Sequence, residues 1–271
     1  MNHQAAGAGV HPDAAPDDPA ELAAALGPIE ARLLVLDFDG VLANIVDHPD
    51  NAWPVAGAME AVSALAGRTS VAVVSGRPIS DLQARLGSLP VTLAGAHGAE
   101  VVHTDGSVQH LVDATDLTER LDATEEELRS LVDAEPGWLV ERKPTAVAVH
   151  HRLASNDSVE ELLPRVRAHL DRSTAGPPPF TVLSGKAVLE LRPADVDKGR
   201  ALDLIAERTP GLTPVVLGDD VTDEDAFSAA IARGGTAVLV ADTPRESVAS
   251  YRLRDPEAVV SFLVALAHTE N

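Results

Sequence analysis

The chain has 271 residues, is 45% hydrophobic and carries 42 acidic against 21 basic side chains, a formal net charge of −21 at pH 7. That length holds one large domain or a core with a smaller companion, and that charge repels nucleic acid and anionic membranes. With no cysteine in the chain, disulfides, thiolate catalysis and cysteine-held metals are excluded, and an anionic substrate needs a local cation at its site.

No apolar run approaches a membrane span, and residues 1–30 lack the basic and apolar regions of a signal peptide, so the expected location is the cytoplasm. The partner expected is a small molecule, with no nucleic acid and no membrane; nothing indicates the oligomeric state. The lysines are only Lys143, Lys186 and Lys198, all other basic residues being arginine. A lysine is a compact point charge that arginine does not always replace, although for Lys186 chance retention is the simpler reading.

Residues 1–19 are rich in Ala, Pro, Asp and Gly, and 1–29 read as a flexible tail with a short helix around Glu21–Leu26. The continuous apolar run Leu33–Leu36 suits a strand buried on both faces of a parallel sheet. A helix over 55–65, the buried run Val71–Val74, a helix over 79–86 and a strand at Val91–Leu93 follow. Asp105-Gly106 between 100–103 and 108–111 predicts a hairpin. From Asp113 the texture changes: an acidic helix to about Asp133, alternating strands at 138–143 and 146–152, a helix over 158–170, a turn at Pro177–Pro179, and strands at 180–183 and 187–191. Alternation marks half-buried antiparallel strands. The βα pattern then resumes with a helix over 199–207, strand 215–217, helix 224–232, strand 237–240 and a last helix over 256–266. The fold class expected is α/β: a doubly wound, Rossmann-like parallel-sheet core over 30–112 and 195–271, with an inserted α+β cap domain over 113–194.

Ligands of open parallel sheets bind beyond the carboxyl ends of the strands. Those ends carry Asp37-Phe38-Asp39-Gly40, Ser75-Gly76-Arg77 and Gly218-Asp219-Asp220, with Asp223 a turn further on and Lys198 at the start of a core helix. Hard oxygen donors suit Mg2+, which keeps several waters and needs one or two carboxylates. Asp37 and Asp219 offer these, and the backbone carbonyl of Asp39 can complete the metal shell. A carboxylate also serves as a nucleophile through an aspartyl-phosphate, a role for Asp37. Asp39 can protonate a leaving alcohol and then activate water, while Ser75 and Lys198 hold the phosphoryl oxygens. Taken singly, D-x-D-G reads as an Asp-rich turn, Ser75-Gly76-Arg77 as a helix start, and Asp219–Asp225 as helix-capping acids. Together, in this order and all at strand ends, they read as phosphate-monoester chemistry.

Asp37-Phe38-Asp39-Gly40-Val41, Ser75-Gly76-Arg77, Lys198-Gly199 and Gly218-Asp219-Asp220-x-Thr222-Asp223-Glu224-Asp225 resemble the four motifs of the haloacid-dehalogenase superfamily. With Gly95–Glu100, Val140–Lys143, His150–Arg152 and Glu190–Pro193, the chain from Leu33 onward is similar to the trehalose-6-phosphate phosphatase family. The resemblance implies a lid inserted after the second motif, magnesium, and a disaccharide phosphate as substrate in trehalose biosynthesis. It implies substrate binding by Asp37, Phe38, Asp39, Ser75, Gly76 and Arg77, and by the lid residues Glu141, Lys143, Arg152 and Glu190. Period two puts Glu141 and Lys143 on one strand face, where an ordinary cross-strand salt bridge is an equally good reading. His97 reads as a core histidine. Val41 stands where the family commonly has Thr, and His151 where it has Tyr. A sucrose-phosphate or mannosyl-phosphoglycerate phosphatase, or a catalytically silent sugar-phosphate binder, remain the alternatives.

Overall fold

The apolar runs of the sequence become strands of two separate sheets in the structure, a computed structural model that describes residues 17–176, 178–185 and 187–269. The chain divides into two compact units, the first running up to Gln109 and resuming at Asp197, the second being His110–Val196. The expected cap segment 113–194 falls within the second. Residues 1–16 of the expected tail, Pro177 of the expected turn, and Lys186 lie outside the described residues.

Among the described residues the first sheet has eight strands. They are β1 (Arg32–Leu36), β2 (Ser70–Val74), β3 (Thr92–Gly95), β4 (Glu100–Val102), β5 (Val108–His110), β10 (Thr213–Gly218), β11 (Thr236–Val240) and β12 (Tyr251–Leu253). Their order is β12-β11-β10-β1-β2-β3-β4-β5. The ladders from β12 through β3 are parallel, and β3 pairs with β4 antiparallel. Side chains along a strand alternate between faces, and the sequence runs are continuous because both faces are covered. Leu34 and Leu36 join the cluster of Val62, Leu65, Phe262 and Leu266, from α2 (Ala58–Ala66) and α8 (Pro256–Ala267). Leu33 and Val35 point the other way, to Leu202, Ile205 and Phe227 of α6 (Lys198–Glu207) and α7 (Glu224–Ala232). A further helix, α3 (Ile79–Leu86), follows β2. β1 lies between β2 and β10, the central position of the parallel ladder, and this brings the ends of the three strands onto one rim.

Part of the expected tail is ordered. Asp18 accepts hydrogen bonds from the amides of Ala20 and Glu21, capping α1 (Pro19–Leu26), whose Leu22, Ala23 and Leu26 are buried with the residues of α8. The short helix expected around Glu21–Leu26 is thus present and starts two residues earlier, at Pro19. Strand β12 was not expected: three residues after a Ser- and Arg-containing stretch give too short a pattern to read.

In the second unit β6 (Leu139–Lys143), β7 (Ala146–His150), β8 (Phe180–Gly185) and β9 (Val188–Pro193) form an antiparallel sheet in the order β6-β7-β9-β8. One face, carrying Val140, Val147, Val149, Leu189 and Leu191, packs with Leu117, Leu121 and Leu128 of α4 (Ala114–Val132) and with Val166 and Leu170 of α5 (Asn156–Ser173). Asp113 and Ser155 cap these helices through the amides of Thr115 and Ser158.

Candidate active site

The site of the first unit begins where β1 leaves the sheet. The Asp37 amide still donates to the Leu217 carbonyl of β10 at 3.0 Å, after which the chain reverses, with the Leu42 and Ala43 amides donating to the Phe38 carbonyl. Gly40 stands in this reversal at φ +74°, and a Cβ there would lie 2.2 Å from Asp219 Cγ. Only glycine lets the β1 loop and the β10 end approach this closely. Gly218 has the same function on the other side, since its Cβ would meet Asp223 Cγ at 2.3 Å.

Asp223 organises the β10 end. Its Oδ2 accepts from the amides of Asp219 and Asp220, each at 2.9 Å, and its Oδ1 accepts from Lys198 Nζ at 2.6 Å. Lys198 is the first residue of α6, set there by the Asp197 cap, and its Nζ also donates to Asp37 Oδ2 at 2.7 Å. Lys198 and Asp223 are 3% and 2% exposed, so this ion pair has little water to screen it. Asp37, Asp219 and Asp223 each present an oxygen within 4.8 Å of those of the other two.

Three carboxylates facing one ammonium leave an excess of negative charge. Burial pushes the Asp37 carboxyl well above its ordinary range; Asp223 and Asp219 add to this and Lys198 opposes it. Burial, then the charges of Asp223, Asp220 and Asp39, raise Asp219 to about 7 against the opposing pull of Lys198. For Lys198 itself burial acts downward, but Asp223 and Asp37 outweigh it and hold the ammonium above its usual range. Such a group of hard oxygens is suited to a divalent cation, which supplies the missing positive charge. Asp223 accepts three hydrogen bonds, from Lys198 and two amides, whereas each Asp37 oxygen accepts one, Oδ1 from the Phe38 amide and Oδ2 from Lys198, so Asp37 and Asp219 keep more lone-pair capacity for an ion.

The raised Asp219 value has a sign that can be checked. Its ordinary value is 3.8 and its folded value about 7. Between them the folded chain keeps a proton that the unfolded chain has lost, so stability from this group falls as pH rises through that window and stays lost above it. In a chelator, Asp219→Asn is expected to melt increasingly above the wild type as pH is raised from about 5 to about 8. A difference that stays flat across that range contradicts this placement of Asp219.

Ser75 and Arg77 follow β2. The buried Ser75 donates its amide to the Ala94 carbonyl, and its Oγ accepts the Arg77 amide at 3.3 Å. Gly76 lies against the His97 ring, which a Cβ would meet at 2.7 Å, so His97 packs beneath the β2 loop. Arg77 takes Asp39 in both arms: Nε to Oδ2 and Nη2 to Oδ1, each at 2.7 Å. Its guanidinium also lies 5.1 Å from the Phe38 ring centre. The Asp39 carboxylate is therefore turned to Arg77 and not into the three-carboxylate group. The third carboxylate there is Asp223, which the sequence reading places in the motif but not among the metal residues. Its spacing from Asp220, one helical turn, is the signal that identifies it.

The first unit thus gathers Asp37, Phe38, Asp39, Ser75, Gly76, Arg77, Lys198 and Asp219 at adjacent strand ends. In the second unit, register aligns Glu141, Ala148 and Glu190 across β6, β7 and β9, on the face opposite the helices. Lys143 Nζ lies 2.6 Å from Glu190 Oε2, and Glu141 Oε2 lies 2.8 Å from His150 Nε2. The His150 hydrogen bond, with Lys143 nearby, lowers the Glu141 carboxyl. Glu141, Lys143 and Glu190 therefore share one face, with a cross-strand salt bridge between Lys143 and Glu190 and Glu141 paired to His150. Arg152 lies exposed in the turn beyond β7.

No described helix is long and apolar enough to cross a membrane. The family model for trehalose-phosphatase matches residues 35–257. The trehalose-phosphate phosphatase of Mycolicibacterium paratuberculosis (strain ATCC BAA-968 / K-10) is 43% identical over 244 residues, covering 85% of this chain and 61% of that protein. The chain thus spans about three-fifths of the length of such curated relatives. A crystal structure of a trehalose-6-phosphate phosphatase related protein superposes with a TM-score of 0.72 at 26% identity, covering 87% of this chain and 96% of that one. The C-terminal domain of the C. albicans trehalose-6-phosphate phosphatase shares the fold at a TM-score of 0.79 and 24% identity, over 93% of this chain and 97% of that one. With the span from Val35 to Glu257 matched, which contains the acidic rim and its lysine, the chain belongs to the trehalose-phosphatase family.

Proposed function

We propose that this chain is a magnesium-dependent phosphatase that hydrolyses trehalose 6-phosphate to trehalose and inorganic phosphate through an aspartyl-phosphate on Asp37. The observation that carries this reading is the buried lysine between Asp37 and Asp223 with Asp219 alongside. That group pairs a nucleophilic carboxylate with a compensating charge at the carboxyl edge of a parallel sheet. Family membership supplies the substrate class.

Asp37 and Asp219, with the Asp39 backbone carbonyl, would hold the ion. Bound there, Mg2+ neutralises phosphate charge and the excess of carboxylates. An Asp37 oxygen attacks phosphorus as the bond from phosphorus to the sugar oxygen breaks, and the departing oxygen keeps that bond's electron pair and takes a proton from Asp39. Asp39 then removes a proton from water as the water oxygen attacks phosphorus and the Asp37–phosphorus bond breaks. Ser75 and Lys198 hold the phosphoryl oxygens, and the backbone of Phe38 and Gly76 lines the same rim. In the second unit Glu141, Lys143, Glu190 and Arg152 bind sugar hydroxyls. Lys143 and Glu190 are already paired and shielded, which limits the reorganisation needed when hydroxyls replace water around them.

Phosphate release from a panel of sugar phosphates, with and without chelator, tests the reading. The highest kcat/KM is expected on trehalose 6-phosphate, with activity removed by the chelator and restored by Mg2+. Preference for sucrose phosphate or mannosyl phosphoglycerate rejects the substrate, and tight binding with no release in excess Mg2+ rejects the enzyme.

A further inference from the structure

Arg77, Asp81 and Arg85 recur every four residues, along one face of α3 and the turn before it, and lead away from Asp39. Arg77 Nη1 donates to Asp81 Oδ2 at 2.6 Å, and Asp81 Oδ1 pairs with Arg85 Nη1. Arg85 in turn is fixed to backbone: Nε donates to the Ala52 carbonyl at 2.8 Å, and Nη2 to the carbonyls of Pro49 and Asp50 at 3.2 and 3.3 Å. Its guanidinium also covers the Trp53 ring at 5.3 Å. The Pro49 carbonyl is shared, since Arg77 Nη2 donates to it at 2.9 Å.

Pairs at this spacing on a helix surface are ordinarily mobile and of little consequence. Here both arginines are shielded, with side-chain exposures of 10% for Arg77 and 5% for Arg85. Asp39, Asp81, the Pro49 carbonyl and the Phe38 ring together fix the plane of the Arg77 guanidinium. A bidentate fork transmits orientation in a way a single ammonium contact cannot.

We propose that Asp81 and Arg85 are positioning residues for Asp39, acting through Arg77. The alternating row Asp39–Arg77–Asp81–Arg85, anchored to the 49–52 backbone, sets the direction in which the acid–base carboxylate faces the leaving oxygen. This rests on the role given to Asp39 above. Arg77 holds the carboxylate, Asp81 holds Arg77 against swinging out, and Arg85 keeps Asp81 in place by taking its second oxygen.

A positioning role is separable from a structural one by leaving group. Trehalose 6-phosphate releases a poor leaving alkoxide that needs Asp39's proton, whereas p-nitrophenyl phosphate releases a stable phenolate that does not. The constant kcat/KM covers the steps up to departure of the leaving group. Asp81→Asn is expected to lower kcat/KM on the sugar ester by about tenfold to a hundredfold, and on the aryl ester by no more than about threefold. Arg85→Lys, which keeps the charge and loses the fork, is expected to show the same imbalance. Equal losses on both esters, or no loss on either, overturn the proposal. The sugar-ester constants decide independently: kcat falling with KM held within about threefold supports the proposal, and a rise in KM at unchanged kcat overturns it. Phosphate release from neither ester by the wild type sinks the enzymatic reading and this inference with it, a result distinct from equal losses in the variants.

Discussion

Asp37→Asn is expected to lose at least about four orders of magnitude in kcat while remaining folded. The amide keeps the shape of the side chain and an oxygen for the Lys198 ammonium, which lies 2.7 Å from the carboxylate, but it is not a nucleophile. Stability is expected to move the other way. Burial and two neighbouring carboxylates raise the Asp37 carboxyl well above its ordinary range. The ionised form therefore costs folding free energy at any pH above the unfolded value of about 3.9. An uncharged amide removes that cost, so without metal the variant is expected to melt no lower than the wild type. Steady-state kinetics on the sugar ester and a thermal melt in chelator check both halves. Activity within about tenfold of wild type removes Asp37 from the chemistry.

Lys198→Met is the second large effect, and it acts on stability and turnover together. The ammonium is nearly inaccessible and donates to both Asp37 and Asp223. Its removal leaves two buried carboxylates facing Asp219 with no cation among them. Breaking a buried pair from one side costs about 3–5 kcal/mol, or roughly 10 °C in melting temperature for a chain of this size. The lysine's raised value means that its stabilisation is present at every pH below the unfolded value of about 10.4, so melts near neutrality report it in full. Methionine keeps the apolar stem, which assigns the loss to charge and not to volume. Turnover is expected to fall by at least about a hundredfold, since the phosphoryl oxygens lose a partner. The rise in melting temperature on adding Mg2+ is expected to be larger in the variant than in the wild type, because the ion supplies the charge that the lysine no longer does. An equal or smaller rise contradicts that balance.

The rim itself was legible because each of its parts is local. Asp37, Ser75 and Asp219 each follow a short apolar run, and a run of that kind buried on both faces identifies both strand and sheet type. The hidden parts depend on tertiary pairing. Asp223 looks like a helix-capping acid in sequence, and only the fold shows its other oxygen on Lys198, 25 residues earlier. Arg77 reads as a substrate contact, and only the fold turns it onto Asp39. Asp81 and Arg85 carry a visible four-residue period, yet nothing local distinguishes a shielded row from a solvated one. The helix at Pro19–Leu26 shows in the sequence around Glu21–Leu26, but its packing against α8 does not, because small residues bury little area each.

The central claim is a covalent bond between phosphorus and Asp37, and acid-quenched single turnovers with substrate labelled in its phosphate test it most directly. After digestion at low pH, label is expected on the peptide holding Asp37, appearing before free phosphate and absent from Asp37→Asn. Phosphate released in full with no label on that peptide at any quench time, or label recovered on another residue, would contradict it.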